Sequence, residues 1–217
     1  MAELKRVLHV VAAAVEAHAD ELSALDAAGG DGDHGMSLAL GARGAVAAVA
    51  NMDDGDIGAF LDTVGKSLIS GVGAAMGPLY GTALVKAGKV ATGKSELDGA
   101  TVAAMLTACS EGIVLRGKTK VGDKTMLDAF APAAEAAAKS AASGASALDV
   151  LRAASAAADA GALATKDMIA TKGRAAKLGE RTRGYQDAGA TSTALMLRAT
   201  LAAFDAKTTV AVAGAKA

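Results

Sequence analysis

The sequence predicts an all-α fold, and three observations carry that prediction. Ala makes up about a quarter of the 217 residues, and it is the strongest helix former. Only 2% of residues are aromatic, and no series of β-branched runs supplies what a sheet needs. Apolar residues instead recur every three or four positions, the spacing of one helical face. A chain of 217 residues suits a single domain, residues 1–217, that buries roughly 70% of its unfolded surface.

The first helix is the clearest. Leu4, Val7, Leu8, Val11, Val15, Leu22 and Leu25 form one apolar stripe over about six turns, and the stripe stops at Gly29-Gly30. A second helix is predicted over about 37–51 with Ser37 as its N-cap, after which Asp53-Asp54-Gly55-Asp56 reads as loop. A third covers about 57–69, and the run from Gly71 to Pro78 interrupts. Further helices are expected at about 79–91, 99–116, 125–142, 147–168 and 189–205. That makes about eight, and their short connections predict an antiparallel bundle or a barrel. The Ala-rich stretch 131–162 carries only Leu148, Val150 and Leu151 as bulky apolar residues, with Leu163 just after it, so helices there should meet through Ala faces.

Composition excludes several classes. A net charge of −1 argues against a protein that binds nucleic acid by neutralising phosphates. A single cysteine, Cys109, cannot form an internal disulfide and fits a reducing compartment; in its apolar helix it reads as a core thiol. No run of about 18 apolar residues is free of charge and Gly, so no membrane span is expected. The opening Met1-Ala2-Glu3-Leu4-Lys5-Arg6 lacks the apolar core of a signal peptide. The expectation is a cytoplasmic protein. His9 and His18 read as ordinary surface or packed residues of the first helix.

The chemistry gathers between the helices. Asp26, Asp31 and Asp33 stand beside His34 and Gly35 in a Gly-rich turn. Carboxylates so close repel one another unless a cation neutralises them, and hard oxygen ligands without a thiolate favour Mg²⁺ or Ca²⁺. A solvated, capping turn is the plain alternative. An EF-hand is excluded, because the twelfth position counted from Asp31 is Ala42 where a bidentate Glu is required. A second signal, Gly88-Lys-Val-Ala-Thr-Gly93-Lys94-Ser95, satisfies the P-loop spacing. It follows a helical pattern rather than a strand, so it reads as a helix–helix loop with Gly93 as a C-cap and Ser95 capping the next helix. A third, from Lys172 through Arg174, Lys177 and Arg181 to Arg183, is a Gly-punctuated basic loop. It is either a solvated loop or an anion clamp.

In order along the chain, Asp26…Gly30-Asp31-Gly32-Asp33-His34-Gly35, Gly77-Pro78-Leu79-Tyr80-Gly81-Thr82 and Arg116-Gly117-Lys118 are followed by three more motifs. These are Gly122-Asp123-Lys124-Thr125-Met126-Leu127-Asp128, Lys172-Gly173-Arg174-Ala175…Leu178-Gly179-Glu180-Arg181 and Asp187-Ala188-Gly189-Ala190. Together they resemble the nucleotide-binding L subunit, or C-terminal domain, of the dihydroxyacetone kinase family, and the resemblance spans nearly the whole chain. It implies a barrel of eight antiparallel helices with ADP or ATP at one rim. It implies that Asp26, Asp31 and Asp33 hold two Mg²⁺ ions. His34, Gly35, Met36 and Ser37 would meet phosphates at a helix N-terminus. Gly117 and Met126 would line the adenine site, Arg174 with Asp187, Ala188 and Gly189 would complete it, and Ala75 and Met76 would stand among the nucleotide-binding positions. The ketose would sit on a separate K subunit, and a phosphotransferase-system protein is the donor in one variant of the family. Complex formation should then bury a mainly polar rim. The chain departs from the family where Ala74, Ala75 and Met76 replace a Gly-x-Ser run, and at Tyr185 and Ala188. Loss of the Ser hydroxyl removes a phosphate donor. Met76 thus favours the alternative of a non-catalytic nucleotide-binding module that signals to a regulator.

Overall fold

The computed structural model describes residues 1–73 and 75–214, with side chains as far as Asp205; Ala74 of the departing run lies outside the described residues. Its α-helices are α1 (Ala2–Ala17), α2 (Ala19–Ala27), α3 (His34–Val49), α4 (Ile57–Gly71), α5 (Met76–Val90), α6 (Gly99–Gly117), α7 (Leu127–Ala142), α8 (Ala147–Ala164) and α9 (Ala188–Gly214). Two 3₁₀ segments, Thr165–Asp167 and Ala175–Thr182, lie between α8 and α9. From α3 to α9 each helix packs on the next; α9 closes on α1, and α1 packs on α3. This is the predicted eight-membered barrel, with α2 continuing α1 beyond the His18 break and packing on α3 and α9.

The sequence reading needs correction at several boundaries. The first helix is broken at His18, whose φ of −112° and ψ of 12° leave the helical region. The bend seats Ala19 against Gly35, where an added Cβ would stand 1.8 Å from the Ala19 carbonyl oxygen. The stripe continues across the break, which is why periodicity alone reads one helix. Ser37 is not an N-cap: α3 starts at His34, and the Ser37 N–H already bonds the Asp33 carbonyl at 2.8 Å. Helix α5 starts at Met76, three residues before its expected start, because Pro78 sits in the first turn, where its missing N–H costs nothing. Helix α8 gives way to the 3₁₀ turn at Thr165.

The two halves of the barrel are packed differently. Leu22, Leu38, Leu68, Tyr80, Ile113, Leu127 and Phe130 belong to one buried cluster. Across α7 and α8 the contacts are Ala129, Ala133 and Ala137 with Ala154, Ala158 and Ala162, the expected Ala faces. A buried methyl is worth only about 0.8 kcal/mol, so such faces stabilise by number and by close approach. Helices α4 and α5 approach closely at Gly65 and Gly81, where an added Cβ on either would lie 2.5–2.7 Å from the other's carbonyl oxygen.

Antiparallel succession sorts the loops. One end of the barrel gathers the starts of α3, α5, α7 and α9 with the ends of α2, α4, α6 and α8. The opposite end carries the loops 50–56, 91–98 and 143–146. The P-loop look-alike lies at that opposite end. Its Gly93 N–H bonds Asp56 Oδ2 at 2.5 Å, and the Lys94 carbonyl accepts from the Ile57 N–H at 3.0 Å. Neither expected cap is observed there: Ala91 ends α5, and Asp98, accepting from the Thr101 N–H at 2.7 Å, caps α6 in place of Ser95. No described helix is long and apolar enough to cross a membrane.

Candidate functional site

The acidic cluster forms where α2 ends and α3 begins. Asp26, in the last turn of α2, turns its carbonyl to the Gly29 N–H at 2.9 Å and its carboxylate Oδ2 to the Gly32 N–H at 2.8 Å and the Asp33 N–H at 3.2 Å. These bonds wrap the chain back on itself, so one carboxylate oxygen from each of Asp26, Asp31 and Asp33 lies within 4.8 Å of the others. Asp31 and Asp33 are exposed and Asp26 is half-buried. Three hard oxygen donors facing one another on an open rim suit Mg²⁺, which keeps several waters and binds through a few carboxylates. Arg174 reaches over from the basic loop and pairs with Asp31.

Beside the cluster, α3 offers the unpaired N–H groups of its first turn, a ready anion site. His34 opens that turn. Its Nε2 lies 2.9 Å from Ser192 Oγ, which lies 2.8 Å from the buried Tyr80 hydroxyl. Tyr80 also meets Thr193 Oγ1 at 2.9 Å and donates to the Gly189 carbonyl at 3.0 Å. Burial holds the His34 imidazole below its ordinary pKa against the opposing pull of Asp26 and Asp33. A neutral ring with one nitrogen tied to Ser192 leaves the other for a ligand.

The remaining predicted residues fall on the same rim. Gly35 is buried under Ala19, Ser37 is half-buried, and Met36 is 55% exposed. Ala75 is exposed at the start of α5, whereas Met76 turns into the core. Gly117 ends α6 against Leu79. Met126 precedes α7 and packs on Gly189, with its side chain in the core. Asp187 caps α9, accepting from the Ala190 N–H at 2.7 Å, with Ala188 and Gly189 buried behind it. Burial pushes the Asp187 carboxyl up to about 7, against the Ala190 N–H that favours its charge. The lone cysteine takes no part: Cys109 is buried, and burial pushes its thiol up to about 12.

Several residues of this rim were not singled out from sequence. Ser192 and Thr193 carry no local pattern that marks them; only the closed barrel, which lets the Tyr80 side chain of α5 reach α9, makes them its partners. Lys124 lies inside a quoted motif, but nothing in the motif shows that its side chain is buried, 3% exposed, among backbone carbonyls.

Comparisons with known proteins agree with this geometry. A sequence profile described as the DAK2 domain matches residues 28–202. The chain is 38% identical over 177 residues to the PEP-dependent dihydroxyacetone kinase, ADP-binding subunit DhaL, of Escherichia coli K12, covering 82% of this chain and 84% of that one. It is 39% identical over 180 residues to an ADP-binding subunit DhaL of Listeria innocua, covering 83% and 85%. Among solved structures, the dihydroxyacetone kinase of C. freundii in complex with AMP-PNP and Mg²⁺ superposes with a TM-score of 0.69 at 27% identity. That match covers 92% of this chain but only 33% of the longer kinase.

Proposed function

The chain belongs to the DAK2 domain family, and on that premise we propose that it is the nucleotide-binding subunit of a dihydroxyacetone-type ketose kinase. The observation that carries the reading is the acidic cluster at the open N-terminus of α3 with Arg174 lying over it. Asp26, Asp31 and Asp33 would hold Mg²⁺, two ions in this reading. The chemistry that a metal held there would supply is neutralisation of charge on the nucleotide phosphates. The free first-turn amides of α3, those of Gly35 and Met36, take phosphate oxygens, the Ser37 hydroxyl joins them because its own N–H is spent on Asp33, and the ring nitrogen of His34 that Ser192 leaves free meets the same phosphates. Arg174 closes over the phosphates from the basic loop. Gly117 borders the base, Met126, whose side chain lies in the core, supports that wall from behind, and the Asp187-Ala188-Gly189 turn completes it. Phosphoryl transfer asks little covalent chemistry of a protein, and positioning with charge stabilisation supplies most of the acceleration. Met76, whose side chain lies in the core, leaves this rim open.

The acceptor belongs on another chain. Covalent capture of a ketose carbonyl needs an amine or imidazole nucleophile beside the phosphates, and in this reading His34 has one ring nitrogen on Ser192 and gives the other to the phosphates. A ketose-binding K subunit that docks on the rim fits what the surface offers. Met36, Leu40, Ile69, Val114, Leu115, Val121 and Leu163 are the exposed large apolar residues among those described. All seven lie at the site end of the barrel. The rim is therefore less polar than the sequence suggests. The names of the Escherichia and Listeria relatives, each PEP-dependent, support the variant in which ADP stays bound and a phosphotransferase-system protein rephosphorylates it. A cytoplasmic setting and one domain over residues 1–217 complete the reading. Calorimetric titration with ADP, with and without Mg²⁺, tests it: Mg²⁺-dependent binding is expected, and no binding in either condition overturns it.

A further inference from the structure

Lys124 is a buried cation whose hydrogen-bond partners are backbone carbonyls, with Asp187 and Asp167 acting on it only from beyond salt-bridge distance. Its ammonium group donates to the carbonyl of Tyr185 at 2.7 Å, to the carbonyl of Thr182, and more distantly to that of Met168 at 3.4 Å. An ammonium has three N–H donors, so this set accounts for all of them. The same group lies 4.6 Å from the centroid of the Tyr185 ring. The backbone supports the placement at a cost, since Lys124 has a φ of +60°, a region that favours glycine.

The three carbonyls all belong to one segment, residues 168–185, which contains the basic loop. Neighbouring bonds fasten the same segment. Asp123 accepts from Thr171 Oγ1 at 2.5 Å, and its carbonyl accepts from the Thr171 N–H at 3.1 Å. Thr182 Oγ1 accepts from the Ala170 N–H at 2.9 Å and closes the loop's neck. On the far side the Tyr185 hydroxyl donates to the Ala28 carbonyl at 3.1 Å, at the base of the turn that carries Asp31 and Asp33. Lys124 therefore grips both sides of the neck, Met168 on one and Thr182 and Tyr185 on the other, and Tyr185, stacked beneath its ammonium, carries the grip to the acidic turn. Between these anchors the loop delivers Arg174 to Asp31.

Burying an ammonium is unfavourable before its hydrogen bonds are counted, and an apolar side chain would fill the same space without that penalty. What an apolar side chain cannot do is bind carbonyls from residues on both sides of the neck at once. We infer that Lys124 is a positioning residue for phosphoryl transfer, fixing the 168–185 segment so that Arg174 stands over the acidic cluster. The inference rests on the proposed nucleotide site for its consequence, though not for the loop's order.

A double-mutant cycle separates positioning from general stability. Mg-ADP affinity is measured by calorimetry for the native chain, Lys124→Met, Arg174→Ala and the double variant. Amide exchange of residues 171–184 is measured without nucleotide. Lys124→Met is expected to weaken Mg-ADP about fivefold or more in the native background and less than about twofold once Arg174 is gone. Exchange across 171–184 is expected to rise about tenfold or more, because the segment opens more often. Equal losses in both backgrounds, or unchanged exchange, overturn the inference. A native chain that does not bind Mg-ADP defeats the nucleotide reading and the consequence drawn from it. The exchange data would still report whether Lys124 orders the loop. Should Lys124→Met not fold, Lys124→Gln, which keeps two donors without the charge, is read the same way. Failure of both variants to fold also overturns it, since Lys124 would then serve folding alone.

Discussion

Arg174 pairs with Asp31 across the gap between the basic loop and the acidic turn. Both side chains are largely exposed, at 64% and 45%, and an ion pair in such a setting is worth about 0–1 kcal/mol. On the proposed reading Arg174 would therefore leave Asp31 for a phosphate at little cost and free Asp31 for a metal, so that the pair would join two halves of one site rather than act as a fixed strut. Arg174→Ala is expected to weaken Mg-ADP about tenfold or more, through loss of a charge-assisted hydrogen bond worth roughly 1.5–3 kcal/mol. Lys94→Ala, at the opposite end of the barrel, should leave affinity within about twofold. Calorimetry on the two variants checks both, and the reverse ranking would put the phosphates in the wrong loop.

Metal dependence follows from the cluster itself. ADP should stabilise the chain only when Mg²⁺ is present. At a hundred times its dissociation constant a ligand adds about 2.7 kcal/mol, which for a chain of this size raises Tm by roughly 5–10 °C. Asp31→Ala should abolish the rise and leave the helical circular dichroism unchanged, because Asp31 is exposed. An equal rise in EDTA would refute the metal assignment.

Stability should carry a pH signature from Asp187. Its carboxyl is raised to about 7 by burial from an ordinary value of 3.8, so between these limits the folded chain holds a proton that the unfolded chain has lost. The stabilisation is full below about pH 4 and is lost as pH rises through about 7, with a limiting slope of about 1.4 kcal/mol per pH unit. Asp56, Asp98 and Asp123, all held below their usual range, act in the opposite sense at lower pH and do so equally in a variant. Asp187→Asn keeps an N-cap oxygen for the Ala190 N–H. Urea unfolding at a series of pH values should show the native chain losing stability relative to Asp187→Asn from about pH 4 to 7, then running parallel. A constant difference across that range would mean that Asp187 is ionised in the fold.

Short loops left a bundle or a ring open, and only the family resemblance implied the barrel. The helices were legible because Ala content and three-to-four spacing are local properties. The break at His18 was not, because it comes from Ala19 seating on Gly35, a contact between helices. The same division holds within the site. Asp26, Asp31 and Asp33 announce themselves by proximity in sequence, and Arg174 by its charge in a Gly-rich loop. Ser192, Tyr80 and Lys124 act through partners that only the closed barrel supplies, so their residue types alone carried no message.

The last prediction concerns the rim. A phosphoryl group passes only between atoms held within bonding reach, so a partner bearing the ketose must cover the mouth beside α3. Leu40 and Leu115 are 56% and 67% exposed there, on helices flanking the mouth from either side. An exposed side chain costs little to replace in the free chain, whereas a charge buried without a partner at an interface is strongly unfavourable. Leu40→Asp and Leu115→Asp should therefore bind Mg-ADP as the native chain does and lose about tenfold or more of ketose phosphorylation when a matching K subunit is present at limiting concentration. Raising the K subunit should restore the rate, because the defect is one of association. A coupled product assay with each component omitted in turn gives the baseline, and the chain alone should form no phosphorylated ketose. Turnover by the chain alone would place the acceptor site within it. Full activity of both variants at limiting K subunit would move the docking face away from this end of the barrel.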